Sequence, residues 1–144
     1  MPVVRLSRTF HVSSAHRLHS HQLTDEENEA LYGRCHRLHG HNYKIKLTVK
    51  GQIDPVTGMV INIHTLKEIA EKAFVSSLDH HHLDEDVPYF HTRPSTVENL
   101  VVYVWEATAD EFKRQGLDPS LLWEVEILET DANSVVYRGE SDSA

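Results

Sequence analysis

The chain contains a single cysteine, Cys35, among its 144 residues. One thiol excludes an intrachain disulfide and suits a reducing compartment, so we expect a cytoplasmic protein. The sequence also lacks a charged-then-apolar leader, and no apolar run approaches the roughly 20 residues that a membrane-spanning helix needs. We therefore expect a single domain over residues 1–144 with no membrane partner.

Acidic residues are absent from one segment of an otherwise acidic chain. The net charge of −8 argues against nucleic acid as a partner. Between Ala30 and Lys50, however, there is no Asp or Glu, whereas five Arg and Lys residues occur. This basic segment could attract an anionic small molecule, although its three lysines alone are typical of a solvated strand face.

Apolar residues recur with two different periods along the chain, and these periods distinguish strands from helices. Alternation predicts strands at Val3–Val12, Tyr43–Val49, Trp123–Ile127 and "SVVYRG", with "MVINI" returning from "DPVTG" as a hairpin. Helical spacing predicts helices in "LTDEENEALYG", "HTLKEIAEKAF" and the segment from Ser95 to Gly116. The fold class is therefore α+β, an antiparallel sheet with helices on one face. Its open edges favour pairing with other subunits.

Two helices carry capping-box signals at their starts. Thr24 with Glu27 and Ser95 with Glu98 both have the spacing in which two side chains and two backbone amides bond reciprocally. For Ser95 and Glu98, capping alone explains the residues without any functional role.

Twelve histidines are present, and histidine is the commonest metal ligand. His39 and His41 share strand parity with Tyr43, so an extended segment places both imidazoles on the apolar face. His16 has the parity of Val12 and reaches the same face from the first strand. Three convergent imidazoles predict a metal site, for which zinc is the best-suited ion.

Two interpretations of this site stay open. Three histidine ligands leave a coordination position for water or substrate, as in catalytic zinc sites, whereas Cys35 as a fourth ligand would make the site closed and structural. Arg34 and Arg37 flank Cys35, and positive charge favours a thiolate suited to acid–base work. The remaining histidines are interpreted as surface or locally hydrogen-bonded groups: His11, His19, His21, His36, His64 and His91.

Two further places carry acids that could take part in chemistry. Asp79 precedes His80 in a loop, where it could orient the imidazole as an acid–base partner. Glu129 continues the parity of Ile127, so it would extend a buried face and need N–H partners, which a ligand could supply. Exposed polar residues are the alternative for both places.

Six stretches in the chain together resemble the 6-pyruvoyl-tetrahydropterin synthase family. They are "SSAHRLHS", "GRCHRLHGHNYKIKLTVKG", "DPVTGMV", "LDHHHLDEDVPYF", "STVEN" and "ILETD". The resemblance implies the tunnelling fold: a four-stranded antiparallel sheet with two helices, trimers that close a barrel, and two trimers stacked as a homohexamer. It also implies an active site at a subunit interface.

The resemblance further implies an enzyme, a lyase that converts 7,8-dihydroneopterin triphosphate to 6-pyruvoyl-tetrahydropterin with loss of triphosphate, in tetrahydrobiopterin biosynthesis. By position, the metal ligands for Zn²⁺ would be His16, His39 and His41. The catalytic residues would be Cys35, Asp79 and His80, and the pterin-binding residues would be Glu129, Thr96 and Glu98.

One spacing departs from the animal enzymes of this family. Those enzymes have five residues between the cysteine and the His-Gly-His, whereas "CHRLHGH" has three. The shorter spacing resembles 6-carboxy-tetrahydropterin synthase of queuosine biosynthesis, which uses the same substrate and metal but releases acetaldehyde. The other motifs resemble the biopterin branch, and the complete Cys, Asp–His and histidine set disfavours a relative with aldol-cleavage chemistry.

Overall fold

The computed structural model describes residues 1–142 of the chain. Its strands are β1 (Val3–His16), β2 (His39–Gln52), β3 (His81–His82), β4 (Leu122–Leu128) and β5 (Ser134–Tyr137). Its α-helices are α1 (Asp25–Tyr32), α2 (Ile63–Ala70), α3 (Ser76–Leu78), α4 (Leu83–Asp86) and α5 (Val97–Arg114). A π-helical turn, Glu71–Val75, joins α2 to α3, and a 3-10 turn, Gly33–His36, precedes β2.

The strands form one sheet in the order β3-β1-β2-β4-β5. Neighbours pair antiparallel except β3, a two-residue strand that runs parallel to β1 through the pair Ser14 and His81. The α+β class is therefore confirmed, with five strands rather than the expected four. The fifth strand was not anticipated because two residues leave no detectable alternation.

The predicted hairpin after "DPVTG" is wrong. β2 pairs with β1 along its whole length and with β4 from Lys44 to Val49, so both of its edges are occupied. The "MVINI" segment instead leads into α2, because the Asn62 side chain accepts a hydrogen bond from the His64 amide and caps that helix.

The core lies between the sheet and the two longer helical segments, α2 with its extension and α5. β1 and β2 bury alternate residues in agreement with their period-2 patterns, and Phe10 of β1 meets Phe74 edge to face at 5.8 Å. The buried aliphatic and aromatic residues of β2 are Tyr43, Ile45, Leu47 and Val49. This packing fixes which face of β2 continues toward His41 and His39.

Helix caps agree with one sequence prediction and correct the other. Thr24 and Glu27 form the capping box at the start of α1, with both reciprocal bonds present. At α5 the cap is Thr96, whose Oγ1 accepts from the Asn99 amide at 3.2 Å. Ser95 lies one residue earlier, fully buried, and its polar groups face β1 instead.

Within residues 1–142, several stretches of strand edge have no partner strand, among them β1 between Val3 and Val12 and the outer edge of β5. Such edges present unpaired N–H and C=O groups to any neighbouring strand. Among residues 1–142, no helix combines the length and apolarity needed to cross a bilayer.

Candidate active site

Three imidazoles converge at one end of the β1–β2 pair. His16, the last residue of β1, pairs with His39, the first residue of β2, and His41 follows on the same face. Ring centroids are 4.5 Å apart for His16 and His39, 5.2 Å for His16 and His41, and 5.0 Å for His39 and His41. One nitrogen from each ring lies within 4.8 Å of the others, so strand parity correctly predicted their convergence.

Backbone carbonyls orient two of these rings. His16 Nδ1 donates to the Ser95 carbonyl oxygen at 2.7 Å, and His39 Nδ1 donates to the Arg37 carbonyl oxygen at 2.8 Å. A proton on Nδ1 leaves the Nε2 lone pair free, which is the tautomer that metal-bound histidines adopt. His16 Nε2 is buried, and no group among residues 1–142 hydrogen-bonds to it. A buried orphan nitrogen beside two more imidazoles fits a metal ion.

The local electrostatics favour neutral imidazoles. Burial is the main cause that lowers the pKa of His16 from 6.5 to about 4, and the neighbouring His39 and His41 add to this effect. Burial likewise lowers the pKa of His41, against an opposing effect of the Glu129 carboxylate. Metal binding requires unprotonated imidazole, so both shifts keep ligands available near neutral pH.

A cavity of about 360 Å³ adjoins the three histidines. Its lining brings Cys35 and Glu129, both expected site residues, next to the imidazoles. It also includes residues that we did not anticipate there: Leu18, Thr130 and Asn133, together with Arg34, which was noted only as a charge near Cys35. Thr130 and Asn133 could have been found as turn residues directly after Glu129.

Cys35 lies on the 3-10 turn that links α1 to β2. The α1 helix stops at Gly33, whose φ of +56° is a left-handed value that glycine tolerates without strain. Cys35 is a half-buried free thiol, and its carbonyl oxygen accepts from the Leu18 amide at 2.8 Å. The turn thus places Cys35 in the lining of the cavity that the histidines share.

Glu129 follows the last residue of β4 and is half buried. Its backbone amide bonds the Asn133 carbonyl oxygen at 3.0 Å, which closes the turn to β5. No hydrogen bond or ion pair joins its carboxylate to another side chain in the part of the chain that the structure describes. The carboxylate is therefore free to accept N–H groups from a molecule in the cavity.

Asp79 and His80 lie at the edge of β1 and do not line this cavity. Asp79 accepts from the Ser13 amide at 2.8 Å and from His80 Nδ1 at 2.9 Å, and these bonds help to lower its pKa. The His80 side chain is 82% exposed, and its backbone has a left-handed φ of 61°. The pair is therefore formed, but neither residue lines this chain's own cavity.

Thr96 and Glu98 are at the start of α5, and neither lines the cavity. Thr96 directly follows Ser95, which contacts His16, so the cap of α5 is tied to the histidine cluster by one peptide unit. The structure therefore gathers five of the nine expected site residues around one cavity and leaves four outside it.

Residues 5–140 match the family described as 6-pyruvoyl tetrahydropterin synthase. The chain belongs to this family. Its sequence is 51% identical to that of the 6-pyruvoyl tetrahydrobiopterin synthase of Poecilia reticulata, over 94% of this chain and 90% of that protein. It is 47% identical to the Homo sapiens protein of the same name, over 94% and 92% of the two chains.

The fold of this synthase-family chain also matches a solved relative. The structure of Caenorhabditis elegans 6-pyruvoyl tetrahydropterin synthase superposes with a TM-score of 0.91 at 38% identity, and the match covers 97% of this chain and 98% of that one. The family expected from the sequence motifs is thus confirmed by sequence and by fold.

Proposed function

We propose that the chain is a zinc-dependent 6-pyruvoyl-tetrahydropterin synthase. It converts 7,8-dihydroneopterin triphosphate to 6-pyruvoyl-tetrahydropterin and eliminates triphosphate, which makes it a lyase. The observation that carries the proposal is the cavity shared by three convergent imidazoles, the only thiol of the chain and an unpaired carboxylate. Two relatives named 6-pyruvoyl tetrahydrobiopterin synthase, at 51% and 47% identity, support this reaction.

Zinc is the proposed ion, and His16, His39 and His41 are its proposed ligands. An all-imidazole set suits Zn²⁺, and three protein ligands leave room for substrate. When bound, the ion supplies Lewis-acid polarisation of the substrate's side-chain oxygens, which acidifies the neighbouring C–H bonds. The carbonyl oxygens of Ser95 and Arg37 hold two of the rings in the required tautomer.

Two side chains in the cavity take complementary roles. Cys35 accepts the proton that leaves the substrate side chain, because its side chain can act as a base and it lines the same cavity as the three histidines. The Glu129 carboxylate binds the N–H edge of the pterin ring through charge-assisted hydrogen bonds. Together they place the reacting carbon between the thiol and the metal ligands.

Asp79 and His80 form the second acid–base unit. Asp79 accepts from His80 Nδ1, which leaves Nε2 to carry or release a proton at an exposed position. Because the pair does not line the cavity of its own chain, we assign it to the cavity of a neighbouring subunit. Thr96 and Glu98 are proposed to contact the pterin from the start of α5.

The proposed assembly is a hexamer of two stacked trimers. The unpaired edges of β1 and β5 support it, because pairing between edges of neighbouring chains would close the sheet into a barrel. The reducing cytoplasm is the proposed location, since it suits an unpaired functional thiol.

One observation favours a second product. Only three residues separate Cys35 from His39, and this spacing resembles 6-carboxy-tetrahydropterin synthase. That enzyme would give a carboxypterin and acetaldehyde from the same substrate. The identity to biopterin-pathway synthases favours the pyruvoyl product.

Product analysis tests the proposal. Zinc-loaded protein is incubated with 7,8-dihydroneopterin triphosphate, and pterins and inorganic triphosphate are identified by mass spectrometry. The expected result is 6-pyruvoyl-tetrahydropterin with one equivalent of triphosphate. Formation of carboxypterin and acetaldehyde would show that the chain catalyses the second reaction instead. Unchanged substrate would refute both proposed reactions.

A further inference from the structure

A second group of imidazoles includes His19 and His36, which directly follow the cavity residues Leu18 and Cys35, and it has no role in the proposed reaction. His19 is its centre: the His36 ring stacks on it at 5.3 Å and 24°, and the His21 ring meets it edge to face at 5.0 Å. Arg17 Nη2 donates to His19 Nδ1 at 2.9 Å, which fixes the central ring. From the sequence, these histidines were interpreted only as surface or locally hydrogen-bonded groups.

One member of this cluster, His36, belongs to the turn that carries the thiol. His36 Nδ1 donates to the Leu18 carbonyl oxygen at 2.9 Å, while the Leu18 amide donates to the Cys35 carbonyl oxygen at 2.8 Å. Leu18 is therefore held on both sides by two consecutive residues of the turn. Both Leu18 and Cys35 line the cavity.

The Leu18 side of this bridge is itself anchored. The Arg17 amide bonds Asp84 Oδ2 at 2.8 Å, and the Arg17 carbonyl oxygen accepts from Ser95 Oγ at 3.3 Å. Leu18 is also two residues beyond His16 in the sequence. A hydrogen bond to Leu18 therefore connects the turn to the segment that follows His16, one of the three cavity histidines.

We propose that His36 is a positioning residue for Cys35. Its imidazole N–H ties the turn Gly33–His36 to Leu18 and so sets the position of the thiol relative to the three cavity histidines. Only three residues link Cys35 to His39. A movement of this turn therefore changes the position of the thiol relative to His39 directly. The inference rests on the proposed function in that Cys35 is taken as the proton acceptor.

The ring's two interactions are separable by substitution. His36→Phe keeps an aromatic ring to stack on His19 but removes the N–H donor. His36→Asn loses the stacking but places an amide N–H where Nδ1 was, because the Asn Nδ2 atom is equivalent in position. His21→Asn is the matched control, since His21 touches the same His19 ring but makes no hydrogen bond to the turn.

Alkylation of the thiol gives a readout that does not depend on turnover. Cys35 is the only cysteine, so the mass increase with iodoacetamide reports on it alone. With H36F we expect alkylation of the half-buried thiol to accelerate at least threefold and kcat to fall about tenfold, with KM changed less than about twofold. H36N and H21N should match the unsubstituted protein in all three measurements.

The alternatives are distinct in these assays. Unchanged alkylation and kcat in H36F, an equal defect in H36N, or an equal defect in H21N would overturn the proposal. If H36F shows no cooperative thermal transition, His36→Leu takes its place, and its alkylation rate and kcat are judged in the same way. If no form of the protein turns over 7,8-dihydroneopterin triphosphate, the proposed function fails, while the ratio of alkylation rates still decides the role of His36.

Discussion

His16 and Ser95 are joined by a 2.7 Å hydrogen bond from the imidazole Nδ1 to the carbonyl oxygen, across 79 residues of sequence. The bond links the end of β1 to the residue just before the α5 cap. It sets the tautomer of the most buried imidazole in the cluster, and that ring's Nε2 has no hydrogen-bond partner in the described part of the chain. One backbone carbonyl thereby connects the metal-ligand geometry to the helix that carries Thr96 and Glu98.

Burial of His16 makes the metal-free protein sensitive to acid. The folded-state pKa is about 4 against 6.5 for the free side chain, so between these pH values the unfolded chain binds a proton that the folded chain does not. The free energy of unfolding should therefore fall as the pH drops from 6.5 to 4, by about 3 kcal/mol from this group. Chemical denaturation of the apo protein across that range measures the effect.

The comparison that isolates His16 uses two variants. His16→Asn keeps an N–H for Ser95 but cannot be protonated, so its stability should depend less on pH. His64→Asn changes an exposed histidine and should retain the full dependence. Equal pH dependence in the original protein and H16N would contradict the account.

Substitution of Cys35 separates a catalytic from a closed structural metal site. Cys35→Ala should keep its zinc, because the three histidines suffice as ligands, while kcat falls by about 10²-fold or more through loss of the proton acceptor. Metal content by elemental analysis and turnover are measured on the same sample. Loss of zinc together with activity would instead assign the sulfur to the metal as a fourth ligand.

Glu129→Gln should weaken substrate binding without removing the metal. The amide loses the negative charge and presents an N–H group toward pterin N–H donors, so we expect KM to rise about tenfold or more. Glu126→Gln is the control, since that acid lies on β4, which ends just before Glu129, but pairs with Lys46 instead. A KM unchanged in E129Q would remove Glu129 from the pterin site.

Complementation tests whether the Asp79–His80 pair serves a neighbouring chain. His80→Asn tolerates the left-handed backbone and keeps the bond to Asp79 but lacks Nε2, so it should be inactive, as should C35A. Subunits of the two inactive variants, dissociated and reassembled together, should recover about one quarter of the original activity at shared sites. Recovery of none would place all catalytic groups within one chain.

The sequence was sufficient for the features that depend on local periodicity. Alternation predicted β1, β2 and β4, and parity alone placed His16, His39 and His41 on one face, because side chains of a strand alternate strictly between faces. The capping box at Thr24 was also recognisable, since all its bonds lie within four residues.

Features that depend on distant partners were missed for a physical reason. The return strand at "MVINI" failed because β1 and β4 already occupy both edges of β2, and no local pattern reports edge occupancy. Ser95 fitted a capping box, but its carbonyl serves His16 from 79 residues away. The role inferred for His36 likewise depends on Leu18, whose spatial proximity only the fold reveals.

Metal content of purified His16→Asn protein, beside the unsubstituted chain and H64N, tests the central claim most directly. The asparagine retains the bond to Ser95 while removing one ligand nitrogen, so the fold should persist. The account predicts one zinc per chain in the unsubstituted protein and in H64N, and almost none in H16N. Zinc retained at full stoichiometry by H16N would contradict it.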